Sequence, residues 1–243
     1  MKIIGIIPAR YASSRFPGKP LVELKGKTMI QRVYEGAIKS QHIEKVIVAT
    51  DDARIFEAVE SFGGNAVMTS ESHTTGTDRC GEVAKLYPDA DVVINIQGDE
   101  PLVDYRQLDQ LCGAFKDESV QIATLGINSV SEEDKLNANR IKIVLDEKHN
   151  ALYFSRSPIP NTANAKKEII AQFQNYRHIG LYAYRTNTLA ELVLLKPTLL
   201  EQVESLEQLR WLYYGYNIKV ISTTIETPNV DVPADLEKVL NRL

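Results

Sequence analysis

Apolar and polar positions come in alternating blocks along the first half of this chain. Ile3, Ile4, Ile6 and Ile7, broken only by Gly5, form a short β-branched run that predicts a buried strand. The chain then turns polar through Pro8, Arg10, Ser13, Ser14, Arg15, Pro17, Gly18 and Lys19, which predicts a long loop. From Thr28 the period changes. Met29, Ile30, Val33, Tyr34, Ala37 and Ile38 recur at helical spacing behind a Thr28–Gln31 capping-box pair. KVIVAT (45–50) is a second strand, and Asp51-Asp52 opens a helix over 52–62 that Gly63-Gly64 closes. A short strand at 66–68, a polar loop over 69–78 and a helix to about residue 86 follow. The run DVVINIQ (91–97) then predicts a strand in the middle of a parallel sheet.

The alternation loosens after residue 100. A helix is expected over 108–115, and strands over 121–127, 141–146, 151–155, 178–185 and 217–225. Helices are expected over 189–195 and 205–214, and a last one from about 231, with Pro233 in its first turn. Segment 161–174 is polar and reads as an insertion. The fold class is α/β: a doubly wound, mostly parallel sheet with a β-rich second half inserted or packed on it. No linker, repeat or low-complexity tract divides the 243 residues, so one domain is expected over 1–243.

Composition narrows the function classes. At 44% hydrophobic and 25% charged the chain is an ordinary globular protein. A net charge of −4 argues against a general nucleic-acid binder. Cys80 and Cys112 are too few for a disulfide framework and read as reduced, buried thiols. No apolar run approaches the ~20 residues that span a bilayer, and the N-terminus lacks signal-peptide features, so a cytoplasmic protein with no membrane partner is expected.

Against that acidic background the opening loop carries three cations, Arg10, Arg15 and Lys19, just past a buried strand. This is where α/β proteins hold ligands, and the clustered charge implies a polyanion, most simply a nucleoside triphosphate. A Walker A loop is excluded on spacing: Gly26-Lys27-Thr28 requires a glycine at 21, where Leu21 stands. Asp99, beyond the strand at 91–97, reads either as a hard Mg²⁺ ligand or as a turn aspartate. Asp231 reads as a helix start unless it meets Asp99. His73 and His178 read as structural or as site histidines, and Arg177 beside His178 favours an anionic neighbour. Glu201 and Gln202 read by default as part of a solvated helical region.

The blocks PARYASSRFPGKPL (8–21), VIVATDD, TGTDR (75–79), NIQGDEPL (95–102), ALYFSRSPIP (151–160), RHIGLYAYR (177–185), LEQVESLEQLR (200–210) and VDVPADLEKV (230–239) closely resemble the 3-deoxy-manno-octulosonate (KDO) cytidylyltransferase family, in order and across essentially the whole chain. The resemblance implies a nucleotide-diphospho-sugar transferase-like fold, with a CTP-binding half at about 1–130. A sugar-acid-binding and dimerisation half would cover about 131–225, and a metal-ligand loop and helix 226–243. It implies a Mg²⁺-dependent transfer of CMP from CTP to the anomeric hydroxyl of KDO, with pyrophosphate released, which activates the sugar for lipopolysaccharide synthesis. By the same resemblance Arg10, Ser13 and Lys19 would hold the triphosphate. His73, Thr77 and Gln97 would meet cytosine or ribose, and Asp99 and Asp231 the metal. Arg79, Arg156, His178, Tyr182, Glu201 and Gln202 would line the sugar-acid site, and a homodimer is expected. Lys19, Arg10 and Asp99 are the expected catalytic groups. The chain departs from the family at 137–142, where Asn137-Ala138-Asn139-Arg140-Ile141-Lys142 replaces a Pro- and Val-rich segment, so Arg140 bears on the acceptor. Two alternatives stand beside this reading: the same transfer to an 8-amino variant or another sugar acid, and a nucleotide-binding regulatory module without catalysis.

Overall fold

A central strand, β1 (Ile3–Ala9), divides the core in two. Ile3 and Ile7 face one apolar cluster, and Ile4 and Ile6 the other, as the period-2 alternation of a strand requires. The computed structural model describes residues 1–12, 16–128, 130–230 and 232–243. After β1 come a 3₁₀ turn (Lys19–Leu21), a small hairpin of β2 (Glu23–Leu24) and β3 (Lys27–Thr28), and α1 (Met29–Ala37). Then follow β4 (Lys45–Thr50), α2 (Ala53–Ser61), β5 (Ala66–Met68), α3 (Gly76–Ala84), β6 (Val92–Asn95) and α4 (Tyr105–Ala114). The second half holds β7 (Ile122–Ile127), α5 (Glu132–Leu136), β8 (Lys142–Leu145), β9 (Ala151–Ser155), α6 (Lys167–Gln172) and β10 (Tyr176–Arg185). It ends with α7 (Thr186–Leu192), α8 (Leu199–Glu204), α9 (Gln208–Tyr213), β11 (Ile218–Thr223) and α10 (Leu236–Leu240).

The main sheet has nine strands, ordered β11-β7-β10-β6-β1-β4-β5, with β8 on β10 and β9 on β8. β1 pairs parallel with both β4 and β6, so the winding reverses between β1 and β6, and a crevice opens beyond their C-terminal ends. Helices α1, α2 and α4 cover one face through Ile30, Val33, Ile55, Val59, Leu108 and Leu111. Helices α3, α7 and α9 cover the other through Cys80, Val83, Leu189, Leu192, Leu209 and Trp211. Both cysteines are free and buried, as expected.

Three expectations need correction. The β-rich half is not packed on the first: β7, β10 and β11 continue the same sheet, with β10 running antiparallel between β6 and β7. Thr28 caps α1 as expected, accepting from Gln31 N at 3.3 Å, but the Gln31 side chain turns to Glu35 and leaves the box one-sided. The helix expected over 205–214 is shorter, α9 over Gln208–Tyr213, and an unexpected helix, α8, precedes it and ends at Ser205 in the left-handed region (φ 52°, ψ 49°). Segment 161–174 is an exposed excursion that contains α6.

One detail positions the site. β10 pairs with β6 through Tyr182–Arg185 and with β8 through Tyr176 and Arg177. Between these two pairings the Gly180 carbonyl accepts from Gln97 Nε2 at 2.9 Å rather than from a strand. His178 N still donates to the Ile141 carbonyl at 2.8 Å, and the sheet opens beside residues 179–181.

A left-handed serine costs roughly 1 kcal/mol that a glycine avoids. Ser205→Gly should raise unfolding stability by up to about 1 kcal/mol, read from the urea midpoint, whereas lower stability would show that the Ser205 side chain, and not the αL backbone, sets this cap.

Candidate functional site

Two cavities meet beyond β1 and β6. The first, of about 240 Å³, is lined by Pro8, Ala9 and Arg10 at the end of β1, by Lys19, by His73 to Gly76 with Arg79, and by Gln97 to Asp99. The second, of about 370 Å³, shares Gln97 and Asp99 and continues past Glu100, Arg140, Arg177, His178 and Tyr182 into the opening beside β10. Gly98 lets the two loops approach: a Cβ there would lie 2.9 Å from the Pro8 carbonyl oxygen.

Lys19 stands where the cavities join. Its ammonium donates to Asp99 Oδ2 at 2.7 Å and to the Val230 carbonyl at 2.9 Å. Val230 N donates in turn to the Asp99 carbonyl at 2.9 Å. The opening loop, the turn after β6 and the C-terminal tail are thus tied at one point. Ser13, Arg15 and Asp231 lie outside the described residues.

One wall of the first cavity is a helix start. Thr75 caps α3, accepting from Asp78 N at 3.1 Å while Asp78 Oδ2 accepts from Thr75 N at 3.2 Å. The loop expected over 69–78 therefore ends earlier, and the first turn of α3 presents its N-terminus to the cavity. His73 lines this wall with Nε2 on Glu82 Oε2. Glu82 also accepts from Ser70 N at 3.0 Å, and that bond, with the His73 contact, holds its carboxyl below the usual range. Thr77 does not line the cavity: it is buried and donates to Glu207 Oε2 at 2.9 Å. Arg79 is buried in the wall of the first cavity rather than the second, donating to Asp51 at 2.7 Å and to Thr69.

His178 and Tyr182 line the second cavity. The His178 ring packs between Phe154 and Tyr182, with centroids at 5.3 and 5.2 Å, and its Nε2 lies 3.0 Å from Thr124 Oγ1. Desolvation, with Arg177 adding to it, lowers its pKa to about 3, so the ring is neutral at physiological pH. Among the described residues the buried Tyr182 hydroxyl has no hydrogen-bond partner, nor does Arg177 Nε. Both belong to residues that line this cavity, and a bound polar ligand would satisfy them. Burial, and then the neighbouring Asp99 carboxylate, push Glu100 up to about 8.

Arg156, Glu201 and Gln202 are not brought to either cavity. Arg156 binds the Glu204, Ala138 and Ser205 carbonyls. Glu201 is buried in a bidentate pair with Arg210, at 2.6 and 2.7 Å, while it also closes the α8 capping box with Thr198. Gln202 is exposed on α8. Sequence reasoning passed over Asp51, Glu82 and Glu100, and took Glu207 as part of a solvated helical region, whereas its carboxylate meets Thr77. Asp51 carried a signal, as the first of two adjacent aspartates after β4: Asp52 caps α2, which leaves Asp51 free to meet Arg79.

A doubly wound sheet with paired cavities at its switch point defines a nucleotide-binding α/β protein. Residues 4–221 match a family model described as cytidylyltransferase. Relatives called 3-deoxy-manno-octulosonate cytidylyltransferase include those of Geotalea daltonii, 48% identical with 100% of this chain and 98% of that protein covered, and of Bacteroides thetaiotaomicron, 52% identical with 98% and 96% covered. A solved CMP:2-keto-3-deoxy-manno-octonic acid synthetase complexed with CTP superposes with a TM-score of 0.92 at 43% identity, covering 100% of this chain and 98% of that one. The 4-diphosphocytidyl-2C-methyl-D-erythritol synthase of Anaerococcus prevotii, 14% identical with a TM-score of 0.64 over 99% of this chain and 98% of that one, shares the fold. The chain belongs to the 3-deoxy-manno-octulosonate cytidylyltransferase family, and it is an enzyme of the nucleotidyltransferase class.

The neutral His178 has a consequence for stability. An unfolded histidine titrates near 6.5 and the folded one near 3, so its contribution is complete above about pH 6.5 and is lost as pH falls toward 3. His178→Gln should flatten the decline of the urea midpoint between pH 6.5 and pH 4, and a variant that declines as steeply as the parent contradicts this assignment.

Proposed function

We propose that this enzyme transfers CMP from CTP to the anomeric hydroxyl of 3-deoxy-D-manno-octulosonate, releasing pyrophosphate and activating the sugar for lipopolysaccharide synthesis. The observation that carries the reading is the Lys19–Asp99 pair at the junction of a phosphate-type cavity and a second polar cavity. Relatives named for this activity and a structural relative complexed with CTP support it.

Triphosphate in the first cavity would meet Arg10, Lys19 and the N-terminus of α3. The acceptor would fill the second cavity, its reacting hydroxyl at the shared wall of Gln97 and Asp99. A new oxygen–phosphorus bond forms at the α-phosphorus, the bond to pyrophosphate breaks, and the hydroxyl proton leaves to solvent. Catalysis here consists of positioning and charge neutralisation, and no protein nucleophile is needed. Lys19 can follow the leaving oxygen on its flexible stem. Arg79 buttresses the nucleotide wall through Asp51, and His178, being neutral, serves as a hydrogen-bonding group rather than an acid.

Mg²⁺ is the cofactor of this proposal. Asp99 is a hard carboxylate on the shared wall, and among the described residues it belongs to no cluster of three metal-type ligands. That donor set fits an ion held by one or two carboxylates and completed by phosphate and acceptor oxygens, with Asp231 as the second candidate carboxylate. Such an ion would screen the phosphate charge and lower the pKa of the acceptor hydroxyl. We place the enzyme in the cytoplasm, where CTP is made; among the described residues no helix is long and apolar enough to cross a membrane.

The reading extends to a homodimer. Leu199 and Val203, one helical turn apart on α8, are 80% and 84% exposed, and such an apolar face is suited to a second copy. Light scattering should return a dimer that Val203→Glu converts to monomer; a monomeric parent contradicts it.

Pyrophosphate release should require CTP, the sugar acid and Mg²⁺ together. Asp99→Asn should lower kcat by at least about 100-fold in protein that melts as the parent does. No release from folded parent enzyme, with several sugar acids tried, overturns the proposal, and a near-full rate in Asp99→Asn removes Asp99 from the chemistry.

A further inference from the structure

The second cavity has two ends. Its near end is the wall shared with the nucleotide cavity, Gln97 and Asp99. Its far end carries Arg140, just before β8, and Arg177 at the start of β10. Arg177 lies three residues before Gly180, whose carbonyl holds the Gln97 side chain, and three residues of strand span about 10 Å. An acceptor whose reacting hydroxyl sits at the shared wall therefore brings its opposite end toward these two guanidiniums.

Each guanidinium has one edge engaged. Arg177 Nη2 donates to Glu226 Oε1 at 2.6 Å, and Arg140 Nε lies 3.4 Å from Asp134 Oδ1. The third nearby carboxylate, Glu100, accepts from Thr227 Oγ1 at 3.1 Å. Arg177 Nε is buried without a partner in a side chain only 4% exposed. Burial lowers the Arg177 pKa, and the like charge of Arg140 adds to that, so the two cations lie within electrostatic reach of each other. A guanidinium donates hydrogen bonds and accepts none. The group that belongs between these two must therefore offer lone pairs.

We propose that Arg140 is a specificity residue for the acceptor: with Arg177 it sets a pair of guanidiniums at the far end of the second cavity, which takes a distal hydroxyl or anionic substituent between them in preference to a distal ammonium. An ammonium has no lone pair to offer and is repelled by both cations. A hydroxyl or a charged oxygen satisfies Arg177 Nε and relieves the repulsion between the arginines. The inference rests on the proposed transfer reaction, and it selects among sugar acids that differ only at the end remote from the reacting carbon.

The test compares 3-deoxy-D-manno-octulosonate with the same sugar acid carrying an amine in place of its terminal hydroxyl, using the full-length enzyme. The parent should prefer the hydroxyl sugar in kcat/KM. Arg140→Ala should cut that preference about tenfold, mainly through the acceptor KM, with the CTP KM as the internal control. Arg140→Lys, which keeps the charge, should retain most of the preference, and Arg140→Glu should move it toward the amine. A preference that is the same in parent, Arg140→Ala and Arg140→Glu, all folded, overturns the proposal, as does a parent that favours the amine. If the parent turns over neither sugar, the transfer reading fails by itself. The preference is then read from calorimetric dissociation constants of both sugars in the presence of CTP and a chelator, where a ratio insensitive to residue 140 overturns the proposal on its own terms.

Discussion

Lys19 and Asp99 are 80 residues apart in the chain, and their contact decides how the rest of the site is arranged. The ammonium at 2.7 Å from the carboxylate also holds the Val230 carbonyl, 211 positions away. An ammonium so placed is compatible with its surroundings only while oxygen atoms encircle it. The contact therefore draws the opening loop, the turn after β6 and the C-terminal tail to one point. That point lies where the doubly wound sheet leaves a crevice, at the reversal between β1 and β6. In the proposed reaction the same pair would give a bound triphosphate a cation and the acceptor a carboxylate on adjoining walls. Loosening it would separate the two cavities as well as remove a charge.

The division of labour between the cavities follows from how the sheet is built. The nucleotide side uses parallel-strand ends and the start of α3, whose Thr75–Asp78 box fixes the first turn. The acceptor side exists because β10 changes partner along one edge, from β6 to β8, and leaves residues 179–181 beside an opening. Polar groups left unpaired there, Tyr182 hydroxyl and Arg177 Nε, mark where a polyhydroxylated acid could complete the hydrogen bonding. Glu207, at the head of α9, accepts from Thr77 and ties α9 to α3.

The parallel half of the fold was legible because its strands are short β-branched runs and its helices carry local caps. Thr28 and Asp52 announce α1 and α2 from within a few residues. What local pattern could not carry was the placement of β10, whose antiparallel position between β6 and β7 depends on pairings across more than fifty residues. Nor could it carry the left-handed Ser205, which ends α8 and sets it apart from α9. The site divides the same way. Arg10, Gln97 and Asp99 follow closely on buried strands, Lys19 follows in the charged loop after β1, and the four converge. Arg156 and Glu201 occur in equally distinctive blocks, yet their charged groups turn to backbone carbonyls and to Arg210, a choice made by packing that a linear motif does not record. Arg140 ran the other way: a cation in an irregular stretch before β8 that the fold brings to the cavity wall.

The central claim is that the Lys19–Asp99 junction serves the chemical step rather than nucleotide capture alone. Steady-state kinetics of Lys19→Ala, with CTP and acceptor varied separately, test it most directly. The account predicts a kcat lowered by at least about 100-fold with the CTP KM changed only a few-fold, because the ammonium acts on charge that develops as pyrophosphate leaves. A variant with normal kcat and a raised CTP KM would contradict it, and would reduce the loop to a binding element.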